Sequence, residues 1–170
     1  ARLGGLNIWT KPQKPFTIYT RNRFGQDLID YQLFKNKSIA NFSRIVLRNG
    51  GDGWEETLIR DPMTESLVRG MMECGYMSYS PSALFLNGEY WGIHNIREKF
   101  DTQYFSENFN VNPDNLDHLE YTTTQNGTEM LVVEGTLDHY STMIDYIMNN
   151  DLNNAAIYND CLLYTSDAAD

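Results

Sequence analysis

The chain has 170 residues, 41% of them hydrophobic, with 13 Lys/Arg against 23 Asp/Glu and a formal net charge of −10. An acidic total with scattered basic residues excludes nucleic acid as the main partner, and no stretch approaches the run of ~18 apolar residues that a membrane helix needs. Of the two cysteines, Cys74 and Cys161, the second falls in a C-terminal tail unlike the rest, so neither an intrachain disulfide nor a cysteine-based metal site is expected.

In chain order, residues 15–20 (PFTIYT) alternate and are rich in β-formers, which predicts a strand, with residues 24–27 (FGQD) as the turn after it. Residues 29–34 read as a weaker strand or extended segment. Residues 42–48 (FSRIVLR) make a stronger one, with Phe42, Arg44, Val46 and Arg48 on one face and Ser43, Ile45 and Leu47 on the other. Residues 49–53 (NGGDG) end it. Three glycines among five residues form a flexible loop whose amides can meet an anion, although the Walker A spacing is absent. Asp61-Pro62 then reads as a helix start, with Asp at the N-cap and Pro at N1. Met63, Leu67, Val68, Met71 and Met72 predict a core-facing stripe, and Gly75 stands where a glycine ends a helix. Cys74 reads as a small buried hydrophobe.

Residues 79–101 (YSPSALFLNGEYWGIHNIREKFD) carry the most information. Two apolar runs flank Asn87-Gly88, the dipeptide that best fits a two-residue type I′ hairpin turn. The first arm, residues 82–86, is apolar at consecutive positions and predicts a strand buried on both faces. The second arm, residues 90–96, carries Tyr90, Trp91 and a Gly that lets another backbone or a ligand approach closely. It leaves through the charged run Arg97-Glu98-Lys99, which suggests a cleft edge. Asp101 can cap a short helix through residue 108, residues 112–115 (NPDN) form a turn, and residues 116–121 a strand. Residues 122–127 read as a polar loop, and Thr136 as the cap of a helix to about residue 149. His94, His118 and His139 show no metal-ligand spacing. Basic groups concentrate early: residues 1–60 hold ten Lys/Arg and five acids, whereas residues 61–170 hold three and eighteen. That asymmetry fits phosphate-binding groups on one lobe, or ordinary solvated faces.

The hairpin block resembles the spore-coat kinase (CotH) family, whose members carry an "NGeYwGiynirEk.d" signature. KPQKPFTIYTRNRFG, FSRIVLRNGGDGW, LIRDPMTESLV and VEGTLDHYSTMIDYI follow the family in the same order, over roughly residues 2–158. The resemblance implies an α+β chain, an antiparallel sheet with packed helices like the small lobe and hinge of an atypical protein-kinase fold. It also implies ATP and Mg²⁺ as cofactors, phosphoryl transfer to serine of a coat or surface protein, and a secreted or cell-surface location.

In such a lobe a strand cation neutralises nucleotide phosphates and an acid on the next helix orients it. Lys14 falls where the family has a Lys in its "pqKsf" stretch and is the first candidate for the phosphate contact. Arg48, leaving the third strand toward the Gly-rich loop, is the competitor. The orienting acid is Asp61 or Glu65, with helix capping as the other role of Asp61. Glu98 matches the family's Glu at the end of the hairpin and either holds nucleotide or substrate at the cleft or pairs with Arg97 or Lys99. Metal-binding aspartates are expected beyond residue 160.

The last ten residues, CLLYTSDAAD, match the translation of a sequencing-library adapter, so residues 1–160 read as the N-terminal part of a CotH kinase-like domain, inactive without its other half. The rival reading is a catalytically silent cell-surface binding module on the same fold.

Overall fold

A computed structural model of the chain describes residues 1–4, 11–72, 74–124 and 127–166. It divides into two units, residues 1–100 and 101–170.

The first unit holds the strands β1 (Arg2–Leu3), β2 (Phe16–Tyr19), β3 (Ile29–Asp30), β4 (Asn41–Phe42), β5 (Arg44–Arg48), β6 (Tyr79–Leu86) and β7 (Glu89–Arg97). Five of them form an antiparallel sheet in the order β1-β2-β5-β7-β6, and β3 pairs with β4 beside it. Partners directly opposite in an antiparallel ladder point to the same face, so the register sorts the side chains. Phe16 opposite Leu47 opposite Ile96, and Ile18 opposite Ile45, define an apolar face. Phe34 and Phe42 close over it, their rings meeting edge to face at 5.4 Å between centroids, and Leu84 and Leu33 pack at its margin. The other face carries Val46, Arg48, Asn95 and Arg97, and helix α1 (Arg60–Val68) is tied to it.

Several expectations change here. Strict alternation groups Phe42 with Arg44 and Arg48, but a bend at Ser43 separates β4 from β5 and turns Phe42 into the core. Residues 29–34 contribute only the two-residue β3. Helix α1 is shorter than expected: Arg69 is already extended and Gly70 takes φ +74°, so Met71, Met72 and Gly75 lie outside it. Its N-cap is Ile59, and Asp61 sits in the first turn instead of capping. The apolar stripe is not core, since Met63 is 54% and Leu67 66% exposed and only Pro62 is buried. Periodicity identifies an apolar row, but nothing in it says what covers that row. Cys74 is exposed as well.

The hairpin turn is as expected, with Asn87 at φ 52°, Gly88 at φ 86° and Leu86 paired to Glu89. Its first arm, however, is the sheet edge and alternates between exposed and half-buried residues; it is not covered on both faces. Pro81 suits that position, because an edge strand can spare an N–H.

In the second unit, α2 (Thr102–Phe109) begins at Asp101, whose side chain accepts from the Tyr104 N–H at 3.0 Å. A 3₁₀ turn follows over Pro113–Asn115. β8 (His118–Thr124) pairs with β9 (Gly127–Glu134), a hairpin whose second strand the sequence pattern does not reveal. The expected polar loop is thus largely strand; residues 125 and 126 lie outside the described residues. α3 (Asp138–Asn149) follows with Leu137 as its N-cap, and Thr136 Oγ1 accepts from the Asp138 N–H at 3.3 Å. α4 (Ala155–Ser166) runs into the last ten residues. Among the described residues no helix is long and apolar enough to cross a membrane.

Candidate functional site

The segment from β5 into α1 brings a cation, an acid and a glycine turn together. Arg48, last residue of β5, places Nη2 2.7 Å from Oδ2 of Asp61 in the first turn of α1, and both side chains stay about one-third exposed. Between them the chain makes a 3₁₀ turn over Gly51–Gly53. Gly51 has φ +57°, and a Cβ there would stand 3.1 Å from Arg48 Nη2. The glycine therefore leaves the guanidinium room. An ion pair this exposed contributes only ~0–1 kcal/mol, so stability is a poor reason for it.

The amides of the turn are not a phosphate cradle. The Gly51 N–H donates to Asn49 Oδ1, the Gly53 N–H to Gly50 O and the Trp54 N–H to Gly51 O; the N–H groups of Glu56, Thr57 and Leu58 converge on Gly53 O. An anion here would be held by side-chain charge.

A second pair lies on the same face, with its arginine buried and its glutamate half-buried. Arg97 on β7, fully enclosed, donates from Nη2 to Glu65 Oε1 at 2.5 Å and to Met77 O at 3.2 Å. Glu65 Oε2 in turn accepts from the Met77 N–H. Asn95, next on that face, donates to Leu58 O at 2.8 Å. Helix α1 thus meets this face chiefly through the Arg97–Glu65 pair, with Pro62 buried and the exposed Arg48–Asp61 pair adding little.

Continuing the register of the ladders puts Lys14 and Glu98 on the other, apolar face, in the rows of Asn49 and Ile45 respectively. Lys14 Nζ donates to Lys11 O, and its carbonyl accepts from His94 at 3.0 Å. Glu98 pairs with neither Arg97 nor Lys99. Its Oε2 meets Lys37 Nζ at 2.7 Å, where the two side chains, Lys37 and Glu98, are only 9% and 5% exposed. The same oxygen takes the Ser78 N–H at 2.8 Å. Lys37 also lies over the Tyr76 ring at 4.8 Å.

Of the five candidates, then, Arg48, Asp61 and Glu65 share one sheet face, and Lys14 and Glu98 share the opposite one. What links the segments is not visible in the sequence. Gln13 Oε1 accepts from the Trp54 indole at 2.8 Å, while its Nε2 reaches Ile93 O at 2.7 Å and His94 Nδ1 at 3.1 Å. The Gln13 carbonyl accepts from Asn49 at 2.6 Å. An indole only donates and a carbonyl only accepts, so the amide has one possible orientation. His94 Nδ1 must then accept, which puts the ring hydrogen on Nε2, pointing at Lys14 O. Gly92 is glycine for the same reason: φ is +92°, and a Cβ would lie 2.9 Å from Gln13 Nε2. The close neighbour expected at this glycine is a side chain from far upstream. The one signal in the sequence is a Gln held between Pro12 and Pro15.

The network joins KPQKPF, RNGGDGW and WGIHN, three stretches far apart in the chain. The family model described as CotH kinase protein matches residues 4–160, a span that contains all three. The chain belongs to the CotH kinase family. No curated protein and no solved structure matches it. In this CotH chain the hairpin block and the turn that follows Arg48 are physically coupled through Gln13 and Trp54. Among the described residues no group of three His, Cys, Asp or Glu side chains is placed to hold a metal ion.

Proposed function

We propose that this chain is the nucleotide-binding part of an ATP-dependent protein kinase acting on serine residues of a coat or cell-surface protein, secreted or displayed with its substrate. The reaction is in-line transfer: the serine oxygen bonds to the γ-phosphorus, the bond to the ADP oxygen breaks, and the hydroxyl proton passes to solvent. Family membership supports the kinase-like class. The observation that carries the site is the part-exposed Arg48–Asp61 pair beside Gly51. A strand cation aligned by a helix acid is the device by which kinase-like lobes neutralise nucleotide phosphates, and Gly51 leaves the Arg48 guanidinium uncrowded. Arg48 is preferred over Lys14 because Lys14 is turned back onto the Lys11 carbonyl. Glu65 acts at one remove, fixing α1 through Arg97, and Glu98 fixes the entry to β6 through Ser78. ATP fits these residues through charge. Mg²⁺ in nucleotide sites is held by one or two carboxylates together with phosphate oxygens; among the described residues no group of three His, Cys, Asp or Glu side chains is placed to hold it without the nucleotide.

The test is calorimetric titration of a non-hydrolysable ATP analogue. Arg48→Ala should weaken binding by about tenfold or more, the worth of a charge-assisted hydrogen bond, and Lys14→Ala by much less. Equal affinity in wild type and Arg48→Ala removes Arg48 from the site.

A silent binding module is the second reading, favoured by one observation. Tyr79, Phe85, Tyr90 and Ile93 are all exposed on the hairpin, with the Phe85 and Tyr90 ring centroids 5.4 Å apart. Loss of nucleotide binding altogether, with retained binding to surface proteins, would decide for it.

A further inference from the structure

At the opposite end of α1 from Asp61, the first unit has a part-open pocket of about 70 Å³, lined by Ser66 and Arg69 from α1 and its C-cap, by Tyr76 and Ser78 just before β6, and by Asn36. On the same measure a single water needs about 10–15 Å³. The space therefore suits a compact polar head group and is too small for a nucleoside.

Its chemistry is donor-rich. Among the described residues nothing pairs with the Arg69 guanidinium, which is exposed at the cavity mouth. Ser78 is 3% exposed; its Oγ accepts from Asn36 Nδ2 at 2.8 Å, which leaves the hydroxyl hydrogen to donate. Ser66 has spent its own hydrogen on Pro62 O. Among the described residues, the carboxylates near this pocket are paired, Glu98 with Lys37 and Glu65 with Arg97. Among the described residues Arg69 is thus the charge without a partner, lining a small pocket beside a buried donor.

We propose that this cavity binds a tetrahedral oxyanion, the phosphate group of either free phosphate or a phosphoserine side chain. Arg69 supplies the charge and the bidentate fork that suits phosphate oxygens, and Ser78 supplies the inner donor. The site is separate from Arg48, and its occupation clamps the C-terminal end of α1 to the start of β6.

The test is calorimetric titration of inorganic phosphate, and separately of phosphoserine, into wild type, Arg69→Ala, Ser78→Ala and Arg48→Ala. Arg69 is exposed, so Arg69→Ala should keep the wild-type circular dichroism spectrum. Phosphate should still bind Arg48→Ala, and it should bind Arg69→Ala about tenfold more weakly than wild type or worse. Tighter binding of phosphoserine than of phosphate identifies a modified side chain as the ligand; the reverse order identifies the free anion. No binding to wild type, leaving a hydrated cavity only, overturns the proposal. Phosphate binding that survives Arg69→Ala but is lost in Arg48→Ala overturns it too, while leaving the nucleotide reading standing.

Discussion

Replacing Gly92 by alanine strains the point where three segments of the first unit meet. The backbone at φ +92° is left-handed, a conformation that costs an L-residue about 1–2 kcal/mol. The new Cβ would stand 2.9 Å from Gln13 Nε2 and 3.2 Å from Cδ, so the amide has to shift. The shift strains its bonds to Ile93 O, His94 Nδ1 and the Trp54 indole. At up to about 1 kcal/mol for each of these hydrogen bonds, the total has an upper bound of about 3–5 kcal/mol. For a chain of this size that is a fall in Tm of about 6–20 °C. Urea unfolding followed by tryptophan fluorescence reads it, because Trp54 and Trp91 both lie in the affected region. In a Gln13→Ala background the clash is gone, and Gly92→Ala should cost only the backbone share of about 1–2 kcal/mol. Equal costs in the two backgrounds would rule out the network. So would a wild-type cost no larger than the about 0.5 kcal/mol of an inert surface substitution.

Two further outcomes follow from the charge pairs. Glu65→Ala leaves Arg97 charged and enclosed, a change that costs about 3–5 kcal/mol, whereas replacing both residues by methionine should recover most of it; thermal unfolding of the three proteins measures this. Lys11, 2.8 Å from Glu55, holds that carboxyl below its ordinary range through its hydrogen bond and its charge. Because the folded-state value is the lower one, this pair adds stability above the unfolded-state titration and loses it as pH falls through the folded-state value. An NMR titration should show a depressed Glu55 midpoint that returns to normal in Lys11→Ala and in high salt.

Much of the local structure is legible because short-range chemistry decides it. Asn87-Gly88 marks the hairpin because few other pairs tolerate two positive φ values in succession, and Asp101 marks the start of α2 because its carboxylate reaches an N–H three residues on. The alternation of residues 44–48 correctly separates Arg48 from Ile45 and Leu47. Long-range facts are not legible. The apolar row of α1 (Met63, Leu67, Val68) has core periodicity, yet the sheet face it meets carries Arg48 and Arg97, which pair with Asp61 and Glu65, and Met63 and Leu67 stay exposed. Glu98 has cations on both sides in sequence and takes neither; its partner is Lys37, at a separation of 61 residues along the chain. Gln13 joins side chains and carbonyls of Asn49, Trp54, Ile93 and His94, and apart from Pro12 and Pro15 on either side no local pattern marks it.

Whether nucleotide phosphates meet this chain at Arg48 and the Gly51–Gly53 turn is decided by amide chemical-shift mapping during titration with a non-hydrolysable ATP analogue. The largest shifts should fall on residues 48–61 and vanish in Arg48→Ala. Shifts centred on residues 11–16, unchanged by that substitution, would instead return the phosphate contact to Lys14.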